Sequence, residues 1–180
     1  HAEHDQIIHY LREKYLDSRD QYNLKFHGKS RPDFTEEIAM SDSITLSRKT
    51  GATLYLAHVS TAKGVELVRR AKREGLPVYA ETGLHYLFFT EDKLTGKEGG
   101  LYFMSPPLRK KEDITALWKG LEDGTIDSVI SDHSPHMKRD KLQDPRFGYS
   151  KDGEEYAIPP GFTGIDERVP LIYTKGVLEG

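Results

Sequence analysis

Two histidines and one aspartate stand where a parallel α/β fold places its chemistry. His58 ends the apolar run 53–59 and precedes Ser60-Thr61; Asp132-His133 ends the run 126–131; His1 opens the chain, its own strand out of view. Both runs are short and β-rich. They put His58 and Asp132 at the C-terminal ends of buried strands, the edge where folds of this class collect functional groups. Taken singly, each has a structural explanation. A strand-end His is commonly a hydrogen-bonded packing residue, and an Asp after a strand commonly caps a turn. Taken as a set, two imidazoles and a carboxylate on successive strand ends can converge on one point. The chain has no Cys, which removes disulfides, thiolate-bound zinc, iron–sulfur clusters and thiol catalysis. A metal here would take imidazole, carboxylate and water, a set that suits zinc or manganese at a hydrolytic centre.

Periodicity supplies the elements that must position these residues. Residues 5–16 carry apolar side chains at 7, 8, 11, 15 and 16, which is helical spacing. Residues 17–32 read as a polar loop. A second helix opens at Pro32-Asp33 and runs to Lys49, with Ile38, Ala39, Ile44 and Leu46 expected inward and Thr50-Gly51 closing it. After the strand 53–59, Ser60-Thr61 caps a helix over 62–74 that Gly75 stops. Residues 77–81 form the next strand, and 84–103 are irregular. An amphipathic helix over 112–122 contains Trp118 and ends at Gly124, and the strand 126–131 follows. Residues 137–164 read as a long polar loop, with a final helix from Asp166. Strands alternating with helices predict an α/β fold with parallel strands.

Composition narrows the function classes. The 180 residues carry 26 Lys+Arg against 29 Asp+Glu, a net charge of −3. That balance argues against a nucleic-acid or membrane-surface binder driven by bulk charge. No apolar run approaches the roughly 20 residues of a membrane span, and no signal peptide is visible, so a cytoplasmic protein is expected. The chain starts at His1 without an initiator Met and reads as a piece of a longer one.

Six stretches, in order, resemble the cyclic amidohydrolases: dihydropyrimidinase/hydantoinase, dihydroorotase and allantoinase. His1-Ala2-Glu3 looks like the family's His-Ala-Glu element. Ser30-Arg31-Pro32 with Glu36 or Glu37 looks like its Arg-Pro…Glu segment, and Ala57-His58-Val59-Ser60-Thr61 like its His-Val-Ser strand end. Glu81-Thr82-Gly83-Leu84-His85-Tyr86-Leu87 resembles Glu-Thr-Cys-Pro-His-Tyr-Leu, with Gly83 where the family often has Cys. Met104-Ser105-Pro106-Pro107-Leu108-Arg109 matches the family string, and Ser131-Asp132-His133-Ser134-Pro135-His136 resembles Thr-Asp-His-Ala-Pro-His. Each is weak alone, and six in order are specific.

The resemblance implies a partial TIM-type (β/α)8 metal-dependent hydrolase barrel, roughly its fifth to eighth strands with their helices. Residues 1–180 would then be a fragment of one amidohydrolase barrel domain, lacking the N-terminal half. It implies two divalent metals, usually zinc, with His1 and His58 on one and Asp132 on the other. The family's remaining ligands, a His-x-His pair and a bridging carboxylated Lys, lie upstream; no His-x-His occurs in this sequence. The implied reaction is metal-dependent hydrolysis of a cyclic amide, a hydantoin or dihydropyrimidine ring, by a metal-bound hydroxide, with Asp132 moving the proton. Ser105 would meet the ring amide through its main chain, or serve only as a turn residue before Pro106-Pro107. His136 would hold a substrate carboxylate, as in dihydroorotase or allantoinase, or lie on the surface. Pro160 stands where hydantoinases tend to carry Asn, a dihydroorotase-like sign. Arg109 reads as a structural ion pair and His85 as a packed, hydrogen-bonded residue, while His4, His9 and His27 read as solvated. The expected partners are a small cyclic amide and further copies in a homodimer or homotetramer, with no nucleic acid and no membrane. Some relatives of dihydropyrimidinase have lost their metal ligands and act as scaffolds; retention of His1, His58 and Asp132 speaks against that reading. Half a barrel exposes sheet edges and core, so these residues alone are expected to be inactive and to associate.

Overall fold

The alternation read from the sequence builds three parallel strands with helices between them. A computed structural model describes residues 1–16, 24–142 and 158–179. The strands β1 (Leu54–Leu56), β2 (Val78–Gly83) and β3 (Ser128–Ile130) lie in that order. Leu54 registers with Val78 in the first pair, and Glu81 with Ser128 in the second. Three helices precede them: α1 (Asp5–Leu16), α2 (Lys25–Ser30) and α3 (Asp33–Thr50).

The crossover from β1 to β2 is α4 (Ala62–Arg73). The Thr61 side chain caps it, accepting from the Gly64 amide at 3.0 Å, and Gly75 leaves it at φ 76°, a conformation that favours glycine. Val65, Val68 and Ala71 bury one stripe of this helix. The crossover from β2 to β3 is longer. It runs through α5 (Leu84–Phe88), two 3₁₀ turns and α6 (Lys111–Glu122). The Trp118 indole N–H of α6 donates to the Leu87 carbonyl at 3.0 Å, and Gly124 turns the chain at φ 74°. Beyond β3 come α7 (Lys138–Leu142) and α8 (Arg168–Tyr173), the latter continuing into a π turn, Thr174–Leu178.

The sheet is covered on one face. Along β2, Val78 and Ala80 are buried among Met40, Val65, Val68 and Leu117, while Tyr79 between them is 49 % exposed. That is the period of two of a strand with unlike faces. Tyr55 registers with Tyr79 and is 56 % exposed on the same open face, where its hydroxyl donates to Glu81 at 2.6 Å. The helices lie on the outside of a curved sheet segment, and the tyrosines on the side that a closed barrel turns inward.

Four expectations are corrected. Leu46 is 65 % exposed rather than inward; the buried stripe of α3 runs through Glu36, Met40, Ile44 and Ser47, a phase that puts Leu46 on the opposite face. β1 and β3 are shorter than their apolar runs, because residues 57–59 and Ser131 already belong to the turns beyond them, whereas β2 runs on to Gly83, past the expected end at 81. The loop expected over 17–32 contains α2, and residues 17–23 lie outside the described residues. The loop expected over 137–164 contains α7, with 143–157 outside the described residues.

Candidate active site

His58 and Asp132 share a backbone feature that their sequence context does not announce. Among the described residues they are the two non-glycine residues with positive φ, at 37° and 46°. An L-residue held there pays a steric cost of order 1 kcal/mol and persists only where its surroundings fix it. Each lies just past the end of its strand, so both side chains are re-aimed by a sharp turn at the same edge of the sheet. The His1 ring meets the His58 ring there, centroid to centroid at 4.6 Å. His58 is buried, and burial lowers its pKa while the charge of Asp132 raises it. The neutral imidazole favoured by burial is the form that binds metals. Among the described residues, however, no three His, Asp or Glu side chains come together closely enough to hold a metal ion. The structure pairs His1 with His58 and sets Asp132 near enough to act on His58 through its charge, without completing a ligand cluster.

Behind the histidine pair lies a buried ionic network. Glu3, two residues after His1, pairs with Arg31 at 2.5 Å and lies 3.8 Å from Arg109. Arg109 donates to the Arg31 carbonyl at 2.6 Å and to the Ser60 hydroxyl at 3.1 Å. The Glu36 carboxylate accepts the hydroxyls of Ser60 and Thr61 at 2.5 and 2.7 Å, and their amides at 3.0–3.2 Å. Burial pushes the Glu36 carboxyl upward, against the downward pull of Arg109 and these donors. Two carboxylates and two guanidiniums thus join the segment after His1 to the segment after His58. Arg109 is spent within this network, as its reading as a structural ion pair anticipates. Of the two acidic candidates after Arg31-Pro32, Glu36 is the one engaged.

The other candidates divide. Ser105 is half-buried, with its hydroxyl 3.4 Å from His27 Nε2. His136 is exposed, its Nε2 3.2 Å from the Pro160 carbonyl. It lines a cleft of about 350 Å³ with Phe89, Tyr102, Phe162 and Lys141. His9 is solvated as expected, while His4 is half-buried. His27 is not solvated. It is 1 % exposed on α2 and donates from Nε2 to the Met104 carbonyl at 2.7 Å; burial, reinforced by the nearby Arg31, lowers its pKa to about 3. A six-residue helix is too short to show a buried face in its periodicity. The Ser30 hydroxyl donates back to the His27 carbonyl at 2.9 Å. His85 is packed as expected, its ring 4.1 Å from Tyr86 and 5.3 Å from Phe162. It is not hydrogen-bonded: neither ring nitrogen has a partner among the described residues.

No family model matches the chain. Over 149 residues, 83 % of its length, it is 40 % identical to a dihydroorotase of Syntrophobacter fumaroxidans, covering 31 % of that protein. Over 182 aligned positions and its whole length, it is 37 % identical to a D-hydantoinase of Streptomyces coelicolor, covering 37 % of that protein. The chain belongs to the cyclic amidohydrolase family. It spans about a third of the length of these relatives. Solved cyclic amidohydrolases share its fold. A D-hydantoinase (dihydropyrimidinase) from Thermus sp. superposes with a TM-score of 0.84 at 34 % identity, over 97 % of this chain and 37 % of that one. The dihydropyrimidinase of Brevibacillus agri superposes with a TM-score of 0.88 at 31 % identity, over 100 % of this chain and 38 % of that one. The three-stranded parallel sheet with its outer helices is therefore an unclosed part of a (β/α)8-type amidohydrolase barrel.

Proposed function

We propose that these residues form one side of the active site of a metal-dependent hydrolase that opens a cyclic amide, a hydantoin or dihydropyrimidine ring. The observation that carries this reading is the convergence of His1 with His58 at 4.6 Å, beside two strand ends held at positive φ. His1 and His58 are the nitrogen donors for one divalent cation and Asp132 an oxygen donor for a second. The remaining donors, a His-x-His pair and a carboxylated Lys, come from the rest of the barrel. Bound there, two cations, zinc in the family's usual form, would polarise the ring carbonyl and acidify water. Asp132 takes the proton of the attacking water and delivers it to the leaving ring nitrogen. The Ser105 main chain holds the ring amide. The Glu3–Arg31–Arg109–Ser60–Glu36 network fixes the backbone behind both histidines, as outer partners orient ligands in metal sites generally. The whole protein is read as a cytoplasmic homodimer or homotetramer; among the described residues no helix is long and apolar enough to cross a membrane.

A second reading, dihydroorotase or allantoinase, is favoured by one feature. His136 stands exposed at the rim of the cleft, where its ring is placed to meet a carboxylate such as that of dihydroorotate. The full-length protein assayed on hydantoin, dihydrouracil, dihydroorotate and allantoin separates the two. Opening of the first two supports the hydantoinase reading, and opening of dihydroorotate or allantoin alone overturns it. Metal analysis of the same preparation is expected to find up to two divalent ions per chain, and a protein that binds none overturns the catalytic reading in favour of a scaffold.

A further inference from the structure

The segment carrying Ser105 is tied down on both sides of that residue by side chains outside any metal-ligand motif. The Phe103 carbonyl accepts from Lys141 Nζ at 2.8 Å and from the Gly161 amide at 3.0 Å. The Met104 carbonyl accepts from His27 Nε2 at 2.7 Å. The Pro106 carbonyl accepts from the Tyr86 hydroxyl at 2.7 Å. Three elements thus reach in, α2 through His27, α5 through Tyr86 and α7 through Lys141. Phe103, Met104 and residues 106–108 are buried, and Ser105 alone in that stretch is half-exposed. Among the described residues its amide N–H and its carbonyl have no hydrogen-bond partner.

Lys141 shows how much structure is committed to this arrangement. Lys141 is 4 % exposed, and among the described residues its ammonium donates to carbonyls only: Phe103, Pro159 at 3.2 Å and Gly161 at 2.6 Å. A buried cation satisfied by three carbonyls acts as a fixed cross-link between two loops. The second loop reaches β3, since Phe162 bridges to His133 and its carbonyl accepts the Ser134 amide at 2.9 Å. The approach of α7 depends on Gly100, where a Cβ would stand 2.0 Å from the Lys141 carbonyl oxygen.

We propose that His27, Tyr86 and Lys141 are positioning residues that hold the Ser105 main chain as a rigid donor–acceptor edge for the N–H and C=O of the substrate ring amide. This rests on the reading of Ser105 given under the proposed function. The flanking carbonyls of Phe103, Met104 and Pro106 are consumed internally, and the half-exposed Ser105 between them presents a peptide N–H and C=O whose polarity complements a ring amide. Fixing it in advance removes the ordering cost that a mobile loop would pay on binding.

The test couples the protein edge to the substrate edge in the full-length, metal-loaded enzyme. Its probes are a ring amide inhibitor and the oxa analogue with ring oxygen in place of N–H. The wild type is expected to bind the oxa analogue about tenfold more weakly, the loss of one hydrogen bond. In Tyr86→Phe and His27→Leu that preference should shrink to about twofold. KM for the substrate should rise about tenfold, kcat should change less than threefold and metal content should stay constant. His27→Gln, which keeps a donor for the Met104 carbonyl, should restore most of the preference. If the variants keep the tenfold preference, the positioning role is wrong and the Ser105 reading stands. If the wild type shows no preference, both are overturned. Tyr86→Phe is near-isosteric, so the proposal stays testable should His27→Leu fail to fold.

Discussion

Asp132 and His58 hold a backbone conformation that L-residues avoid, and this separates the chemical role proposed for them from their structural one. At φ 46°, Asp132 sits in the left-handed region that Asn tolerates and β-branched residues do not. Asp132→Asn keeps the turn and removes the carboxylate proposed as the proton acceptor. Hydrolysis by the full-length enzyme is expected to fall by about 10²–10⁴-fold, while its denaturant midpoint moves by less than about 0.5 kcal/mol of stability. Asp132→Val is expected to lose activity and a further ~1–3 kcal/mol through strain. Comparing the two by activity assay and urea titration tells whether the turn is held for the carboxylate. Glu36 makes the complementary case. Its two oxygens face four donors from Ser60 and Thr61, so Glu36→Gln sets an amide donor against donors with no room to retreat. The expected cost is about 1–3 kcal/mol, read by the same titration, with a lower metal content because the strand end carrying His58 is loosened.

At the scale of the elements, the short helices carry the least obvious functions. His27 of α2 is neutral because it is buried and lies within the field of Arg31, Arg109 and Arg12, with the Met104 carbonyl its hydrogen-bond acceptor. Its folded pKa of about 3 lies below the ordinary 6.5. The unfolded chain therefore takes up a proton that the native chain refuses. This contribution to stability is complete above 6.5 and is lost as pH falls towards about 3. The full-length protein should lose unfolding free energy between pH 7 and pH 5, with proton uptake on unfolding, and His27→Gln should flatten that slope. None of this was legible in the residues around His27, because its burial comes from partners 77 and 78 positions away. The long helices were legible because their signals are local: the Thr61 cap, the glycine stops at Gly75 and Gly124, and apolar stripes several turns long. Strand ends were legible for the same reason, and they led to His58 and Asp132. The positive φ at both, the choice of Glu36 over Glu37 and the reach of Lys141 into a second loop depend on tertiary contacts that no local pattern carries.

For the whole molecule, the decisive feature is a sheet finished on one face only. Val78 and Ala80 are sealed under the helices, while Tyr55 and Tyr79 stand open beside Glu81 on the other face. Val169, Leu171, Tyr173, Val177 and Leu178 are exposed along the last helical segment. Open strand edges and aromatic faces of this kind bury themselves against whatever is available, and in the absence of the remaining strands that is another copy. Residues 1–180 expressed alone are therefore expected to elute as higher-order species and to hydrolyse none of the four ring substrates. Adding the upstream part of the barrel should return discrete oligomers and activity together, because the segment that covers the tyrosines is, on this reading, the one that brings the missing metal donors. Size-exclusion chromatography with light scattering, run beside the ring-opening assay, tests both. An active monomer of these residues would show that the paired histidines and Asp132 suffice without a closed barrel. Recovery of discrete oligomers without activity would separate closure of the sheet from completion of the site and place the missing donors elsewhere.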